Sequence, residues 1–189
     1  IMVAMQAIAT TYVEQQVSSI IFDDIPSSYE HLYIRGTMST TRDGVNDLFM
    51  EFGDTGHSPV DTGSTNYSRQ SIWAYAANTP TVYNNSGGTN RISIGFTAGT
   101  EGTNYPNTAQ HYTAFWGEIF EYSNTSKYTS VQGTIGMADR RAPSTWHGVM
   151  HHWQGTWFDT SVLNAIKIYP NVGDFHRGTE ISLYGWNSS

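Results

Sequence analysis

Residues 31–39 read HLYIRGTMS, and they alternate. Leu32, Ile34, Gly36 and Met38 fall on one side of an extended chain, with His31, Tyr33, Arg35, Thr37 and Ser39 on the other. Apolar positions at a period of two mark a strand with one face against a core and one face open. Runs of strand character recur over 7–13, 17–22, 31–41, 46–52, 68–76, 91–97, 110–122, 128–138, 146–157, 164–169 and 180–186. Between them lie turn clusters rich in Gly, Pro, Asn and Ser: IPSS, GDTGHSPVDTGSTN, NTPTVYNNSGGTN, AGTEGTNYPNT, YSNTSK, RRAPS and PNVGD. No convincing amphipathic helix appears, and 159–165 has room for one helical turn at most. The pattern predicts an all-β antiparallel sandwich or jelly roll of about 8–11 strands. With no internal repeat and no break in composition, 1–189 reads as a single domain. Two loops, 53–66 and 98–108, are longer than a hairpin needs; such loops either carry contacts to something else or simply move.

Composition agrees with strands. Charged residues are only 13% of the chain, so its polarity comes from Ser, Thr, Asn and Gly, which disfavours long helices. Aromatics reach 14%, with 12 Tyr and 6 Trp, a content that fits wide sheet packing, an extensive interface or a ligand platform. The formal net charge is −7, and the densest basic patch is Asp139-Arg140-Arg141, too small to track a phosphate backbone; nucleic acid is not an expected partner. Cysteine is absent, which excludes a disulfide framework and a thiol nucleophile. No apolar run is long enough to span a membrane as a helix. The opening IMVAMQAIATT lacks the charged start and longer apolar core of a signal peptide, so a soluble protein made in the cytoplasm is expected. Whether the native chain extends before Ile1 stays open.

Candidate chemistry is sparse. WHGVMHHW (146–153) holds three histidines, and on a helix His147 and His151 would share a face and grip a metal. The surrounding Trp, Val and Gly favour a strand, where those two would stand roughly 13 Å apart. His152 would then face the opposite way. A metal site would need ligands from other strands, such as His111 or His176; otherwise the imidazoles form hydrogen bonds at a sheet surface or subunit contact and lend it pH sensitivity.

FWGEIFEY (115–122) places Glu118 and Glu121 three apart, on opposite faces of a strand, whereas glycoside hydrolysis needs two carboxyl groups converging on one bond. Phe115 and Ile119 would take one face and Trp116, Phe120 and Tyr122 the other, as in a strand covered on both sides at the centre of the sandwich or at an oligomer seam. Trp146, Trp153 and Trp157 read as core or interface residues, with stacking on sugar rings as the alternative. Sequons at Asn66, Asn84, Asn124 and Asn187 are expected by chance in so Asn/Ser/Thr-rich a chain. A phosphate loop, a dinucleotide fingerprint and a nucleophile elbow are all missing. No catalytic residue, cofactor site or metal ligand is nominated.

The two ends carry a resemblance. Near the start, F-x-x-I-P-x-x-Y-x-x-L-x-I-R-G is met by Phe22, Ile25, Pro26, Tyr29, Leu32, Ile34, Arg35 and Gly36. At the end, I-x-I-x-P followed by F-x-x-G-[ST]-x-I-x-L-Y-G is met by Ile166, Ile168, Pro170, Phe175, Gly178, Thr179, Ile181, Leu183, Tyr184 and Gly185. This resembles a family of virion structural proteins of tailed phages of aquatic bacteria, cyanophages in particular; residues 53–128 contribute no motif. The resemblance implies a jelly-roll capsid decoration (cement) protein, a homotrimer that binds the major capsid protein on the outer capsid surface after assembly in the host cytoplasm. In such a fold the IRG and LYG segments would build the same part of the sandwich. A threefold association would also cover edge strands that carry few charged gatekeepers. Two other readings are a tail-fibre or spike head domain that binds host surface polysaccharide, and a polysaccharide-degrading enzyme.

Overall fold

In the computed structural model, residues 5–42, 44–57, 59–75, 81–99, 111–142 and 145–188 are described; for 75, 81, 83–87, 138–142 and 145–147 this covers the backbone alone. The alternating stretch at His31 becomes β3 (His31–Met38), with Leu32, Ile34 and Met38 fully buried and Arg35 and Thr37 exposed; His31 and Ser39, expected on the open side, are buried as well. Around it run β1 (Gln6–Tyr12), β2 (Ile20–Phe22), β4 (Val45–Gly53), β5 (Tyr67–Tyr75), β6 (Thr81–Thr89) and β7 (Ile92–Ala98). Then follow β8 (Thr113–Phe120), β9 (Thr129–Ala142), β10 (Thr145–Trp157), β11 (Ala165–Pro170) and β12 (Glu180–Trp186). Among the described residues there is no helix, and the segment from Phe158 to Asn164 is irregular.

The strands form two sheets that pack into an antiparallel sandwich. One has eight strands in the order β1-β12-β3-β8-β9-β10-β5-β6, the other four in the order β2-β11-β4-β7. Pairing is nested: β1 with β12, β2 with β11, β3 with β8, β4 with β7 and β5 with β6, all antiparallel. From β1 to β5 the chain changes sheet at each step, and it does so again from β6 through β7 to β8 and from β10 through β11 to β12. The two motif-bearing ends lie side by side, with Ile34 opposite Leu183 and Gly36 opposite Ile181.

Leu32, Ile34, Phe115, Ile119, Val131, Ile135, Trp153 and Trp157 from the larger sheet meet Leu48, Met50, Phe52, Ile92, Ile94, Ile166 and Ile168 from the smaller one in a contiguous core. Trp153 and Trp157 are therefore core residues; the Trp146 side chain lies outside the described residues.

The twelve strands among the described residues exceed the eight to eleven expected. The addition is β6, which lies within NTPTVYNNSGGTN, a stretch whose Gly and Asn content reads as a turn. An edge strand needs hydrogen bonds on one side only, and β5 supplies them. Likewise, most of RRAPS is drawn into the β9–β10 hairpin, where Trp146 pairs with Arg140 and Thr145 with Ala142. The expected strand over 17–22 shortens to Ile20–Phe22, with Val17 bridged separately to Phe175. Of the long 98–108 loop, 100–108 lie outside the described residues.

Candidate functional site

Eight strands spaced by about 4.8 Å make the larger sheet roughly 34 Å wide, with one face on the core and the other open. Three strands of the open face carry a row of aromatic side chains. Trp116 of β8 stacks on Tyr33 of β3 (ring centroids 6.3 Å apart, planes at 23°), and Tyr33 meets Tyr184 of β12 at 6.4 Å. Arg35, the register partner of Trp116, lies over the Tyr184 ring at 5.2 Å, and its Nη2 donates to the phenol oxygen at 3.2 Å. That hydrogen bond raises the guanidinium above its ordinary value and lowers the phenol below its own. Trp116 keeps 38% of its surface exposed. The row exists because outward positions on neighbouring strands fall opposite one another.

Across β9, β10 and β5 the same face changes character. Ser68, Gln70, Ser130, Gln132, Gln154 and Thr156 line a groove of about 580 Å³ with Phe120 and Phe158 at its margin. Gln154 Nε2 donates to Gln70 Oε1 at 2.7 Å. Phe158 (41% exposed) packs edge-on to Tyr128 (55% exposed), 5.5 Å between centroids. The groove continues past His152 into a hollow lined by Ile72 and Val82. Among the described residues, His152 is the one ionisable side chain that lines either part.

The histidines of β10 divide as the strand geometry requires. His152 points outward, with Nδ1 3.2 Å from the Thr134 hydroxyl, a hydrogen bond at the sheet surface as expected. His151 corrects that expectation. It points between the sheets, is 3% exposed, and neither ring nitrogen has a hydrogen-bond partner among the described residues. Phe96 packs 5.3 Å from its ring, and Gly95, at φ +112°, lies so close that a Cβ there would sit 2.7 Å from Nδ1. Burial, with a smaller contribution from His152, lowers its pKa to about 4. The His147 side chain lies outside the described residues. Among the described residues, neither His151 nor His152, nor His111 or His176, belongs to a group of three metal-ligating side chains.

The two glutamates do not share a strand. Glu118 stands on β8 opposite Tyr33 and Gln132, whereas β8 ends at Phe120 and Glu121 follows at φ 48°, its Oε2 2.5 Å from Lys127 Nζ. The left-handed residue reverses the side on which its neighbour falls. Tyr122, expected beside Trp116 and Phe120, is instead fully buried and donates to the Pro26 carbonyl. The outer side of β8, expected to be covered, is open within this chain.

One cluster was not nominated from sequence. In the loop between β4 and β5, His57 and Asp61 come together with Asp159 from the segment after β10, with one ligand-capable atom of each within 4.8 Å of the others. His57 Nδ1 is 2.7 Å from Asp54 Oδ1, and its Nε2 is 3.9 Å from Asp61 Oδ1. Asp61 is 3% exposed; it accepts from Gly63 N (2.8 Å), Asn66 Nδ2 (2.7 Å) and Trp157 Nε1 (3.0 Å). Burial raises its pKa, but the hydrogen bonds from Trp157, Gly63 and Asn66 prevail and hold it below the ordinary value. The sequence signal was present in part: Asp-Thr-Gly occurs at Asp54 and again at Asp61, with His57 between. Nothing in the spacing links either to Asp159.

No family model matches the chain, and no curated protein does. Among solved structures it is similar to the marine PL-14 alginate lyase from Aplysia kurodai, at 11% identity over 83% of this chain and 71% of that one, with a TM-score of 0.24. At that score the likeness carries no argument.

Proposed function

We propose that this chain is a structural protein of a phage virion, a capsid decoration protein that docks on the major capsid protein at the outer surface and clamps neighbouring subunits. The observation that carries the reading is the Trp116–Tyr33–Tyr184 row with Arg35 on an open, rigid sheet. Trp, Tyr and Arg are the side chains that dominate binding energy at protein interfaces, and here three strands hold them in place before any partner arrives. The end motifs support it, since they fall on adjacent strands β3 and β12. The jelly-roll part of the reading draws support from the strand orders β1-β12-β3-β8 and β2-β11-β4-β7, a long hairpin wrapped on itself with β5–β6 and β9–β10 added.

Association as a homotrimer belongs to the same reading, because β1, β6, β2 and β7 each leave a sheet edge to cover. The role asks for adhesion and assigns no turnover. Mass spectrometry of separated heads and tails tests it: the chain is expected on heads, and its absence from particles, or presence on tails alone, overturns the reading. Sedimentation is expected to give a trimer, and a stable monomer sinks that part.

The groove over β9, β10 and β5 favours a second reading, a tail-fibre or spike head domain that holds a neutral host polysaccharide. Carboxamides and hydroxyls suit sugar hydroxyls, and Phe158 and Tyr128 offer rings for stacking at one end. Glycan-array binding abolished by Phe158→Ala and Gln154→Ala would establish it; an array without signal would remove it.

A further inference from the structure

The loop between β4 and β5 has no part in the docking face, yet it holds the densest set of metal-capable side chains among the described residues. We propose that His57, Asp61 and Asp159 bind one divalent transition-metal ion of the Zn²⁺ or Co²⁺ class, and that this ion clips the β4–β5 loop to the segment following β10.

Four observations carry the assignment. The donor atoms already lie near a common point: His57 Nε2 and Asp61 Oδ1 are 3.9 Å apart, and one atom from each of the three residues lies within 4.8 Å of the others. Metal bonds of about 2.0–2.1 Å at tetrahedral angles put donors roughly 3.3 Å apart, so the set needs to contract by about an ångström. His57 and Asp159 are partly exposed, and Asp159 Oδ1 accepts from Ser161 N at 2.7 Å, so the contraction falls on the side chains of two surface segments.

The imidazole is also set for ligation. Asp54 Oδ1 sits 2.7 Å from Nδ1, which places the ring proton there and turns the Nε2 lone pair towards Asp61. A carboxylate behind a histidine is the usual outer support of a metal ligand, fixing both its tautomer and its direction.

Asp61 is held in place with one acceptor direction left. Its Oδ2 accepts from Asn66 and Trp157, whereas Oδ1 accepts from Gly63 alone, and Oδ1 is the atom that faces His57. A buried carboxylate that cannot rotate away is a preorganised ligand.

The fourth observation is charge. Asp54 and Asp61 lie 2.7 and 3.9 Å from His57, a ring that carries charge only when protonated, and neither is paired with a lysine or arginine among the described residues. A single imidazole cannot offset this much negative charge, part of it buried, whereas a divalent ion can. One nitrogen and two carboxylates form a mixed donor set of low coordination number. That matches a borderline transition metal and falls short of the six to eight oxygens calcium takes.

The test uses the full chain stripped with a chelator and then titrated with Co²⁺ followed by absorption spectroscopy, and with Zn²⁺ followed by calorimetry. One ion per chain is expected to bind at micromolar concentration with visible Co²⁺ bands, and Zn²⁺ is expected to raise Tm. His57→Gln and Asp159→Asn should each weaken binding by at least the roughly 10–100-fold that loss of an outer-shell partner costs, with each variant's metal-free Tm measured alongside. Should either variant fold poorly, Mn²⁺ broadening of amide resonances in the parent protein locates the ion, with 54–66 and 157–161 expected to broaden first. Absence of saturable binding, equal affinity in both variants, broadening centred elsewhere, or displacement of Co²⁺ by equimolar Ca²⁺ would each overturn the assignment.

Discussion

Trp153 of β10 stands opposite Gly133 of β9, and a Cβ on that glycine would lie 2.4 Å from Cζ2 of the indole. A Cβ on Gly117 of β8, next in the row, would lie 2.8 Å from Cη2 of the same ring. The indole, fully buried, thus takes the space that two neighbouring strands leave by lacking side chains. A methyl at Gly133 would also meet the Trp116 carbonyl at 2.2 Å, so the backbone itself blocks it. Gly133→Ala is expected to cost about 2–3 kcal/mol, as overpacking does. Gly136→Ala on the same strand has only a 3.9 Å neighbour and should cost less than about 1 kcal/mol. Urea midpoints of the two variants decide it.

His151 makes stability depend on pH. Its folded pKa of about 4 lies below the ordinary value of 6.5, so between those values the unfolded chain binds more protons than the folded one. Stability is therefore full above about pH 6.5 and falls as pH drops towards 4, by on the order of 3 kcal/mol. Arg69, Arg91 and Asp47 share the cleft that His151 lines, with Trp73 and Phe96, and His152 adjoins it in sequence. Asp54 and Asp61, whose pKa values are lowered, lose their contribution only under more acid conditions, below the window of pH 4.5–7 in which the His151 slope is read. Urea melts at both ends of that window should show the slope, and His151→Leu should flatten it.

Tyr67 ties the metal-capable loop to β4. Its phenol oxygen accepts from Phe52 N at 2.9 Å and lies within donor reach of the Asp61 carbonyl at 2.9 Å, all of it buried. Tyr67→Phe orphans the Phe52 N–H, and an unsatisfied buried donor costs about 1–3 kcal/mol. Amide exchange should speed up across 52–66 more than in β3 or β12. Uniform loss of protection would refute a local role.

The aromatic row should act in docking and hardly in folding. Trp116→Ala and Arg35→Ala remove partly or fully exposed side chains, so Tm should shift little, while affinity for capsid particles should fall by about 30-fold or more, as at an interface hot spot. Co-sedimentation with particles lacking the chain measures it. Undiminished binding would move the docking surface elsewhere.

Much of this architecture was legible before any coordinates. Alternation along 32–38 specified which side of β3 is buried, though His31 and Ser39 at its ends are buried too, and runs of strand character located eleven of the twelve strands among the described residues. These are local properties: a strand's two faces differ by one residue, and the core rewards one of them. β6 escaped because at a sheet edge backbone pairing outweighs the turn preference of Asn and Gly. Tyr122 changed sides because one left-handed residue, Glu121, breaks the alternation, and periodicity does not register a single φ. The pairing of β1 with β12, the aromatic row across three strands, and the meeting of His57 and Asp61 with Asp159 all join residues far apart in the chain. By itself the sequence determined the faces of the strands. The tertiary structure alone decided which strands become neighbours, because that choice rests on how two whole sheets close over one core, and both the aromatic row and the groove are made by such neighbours.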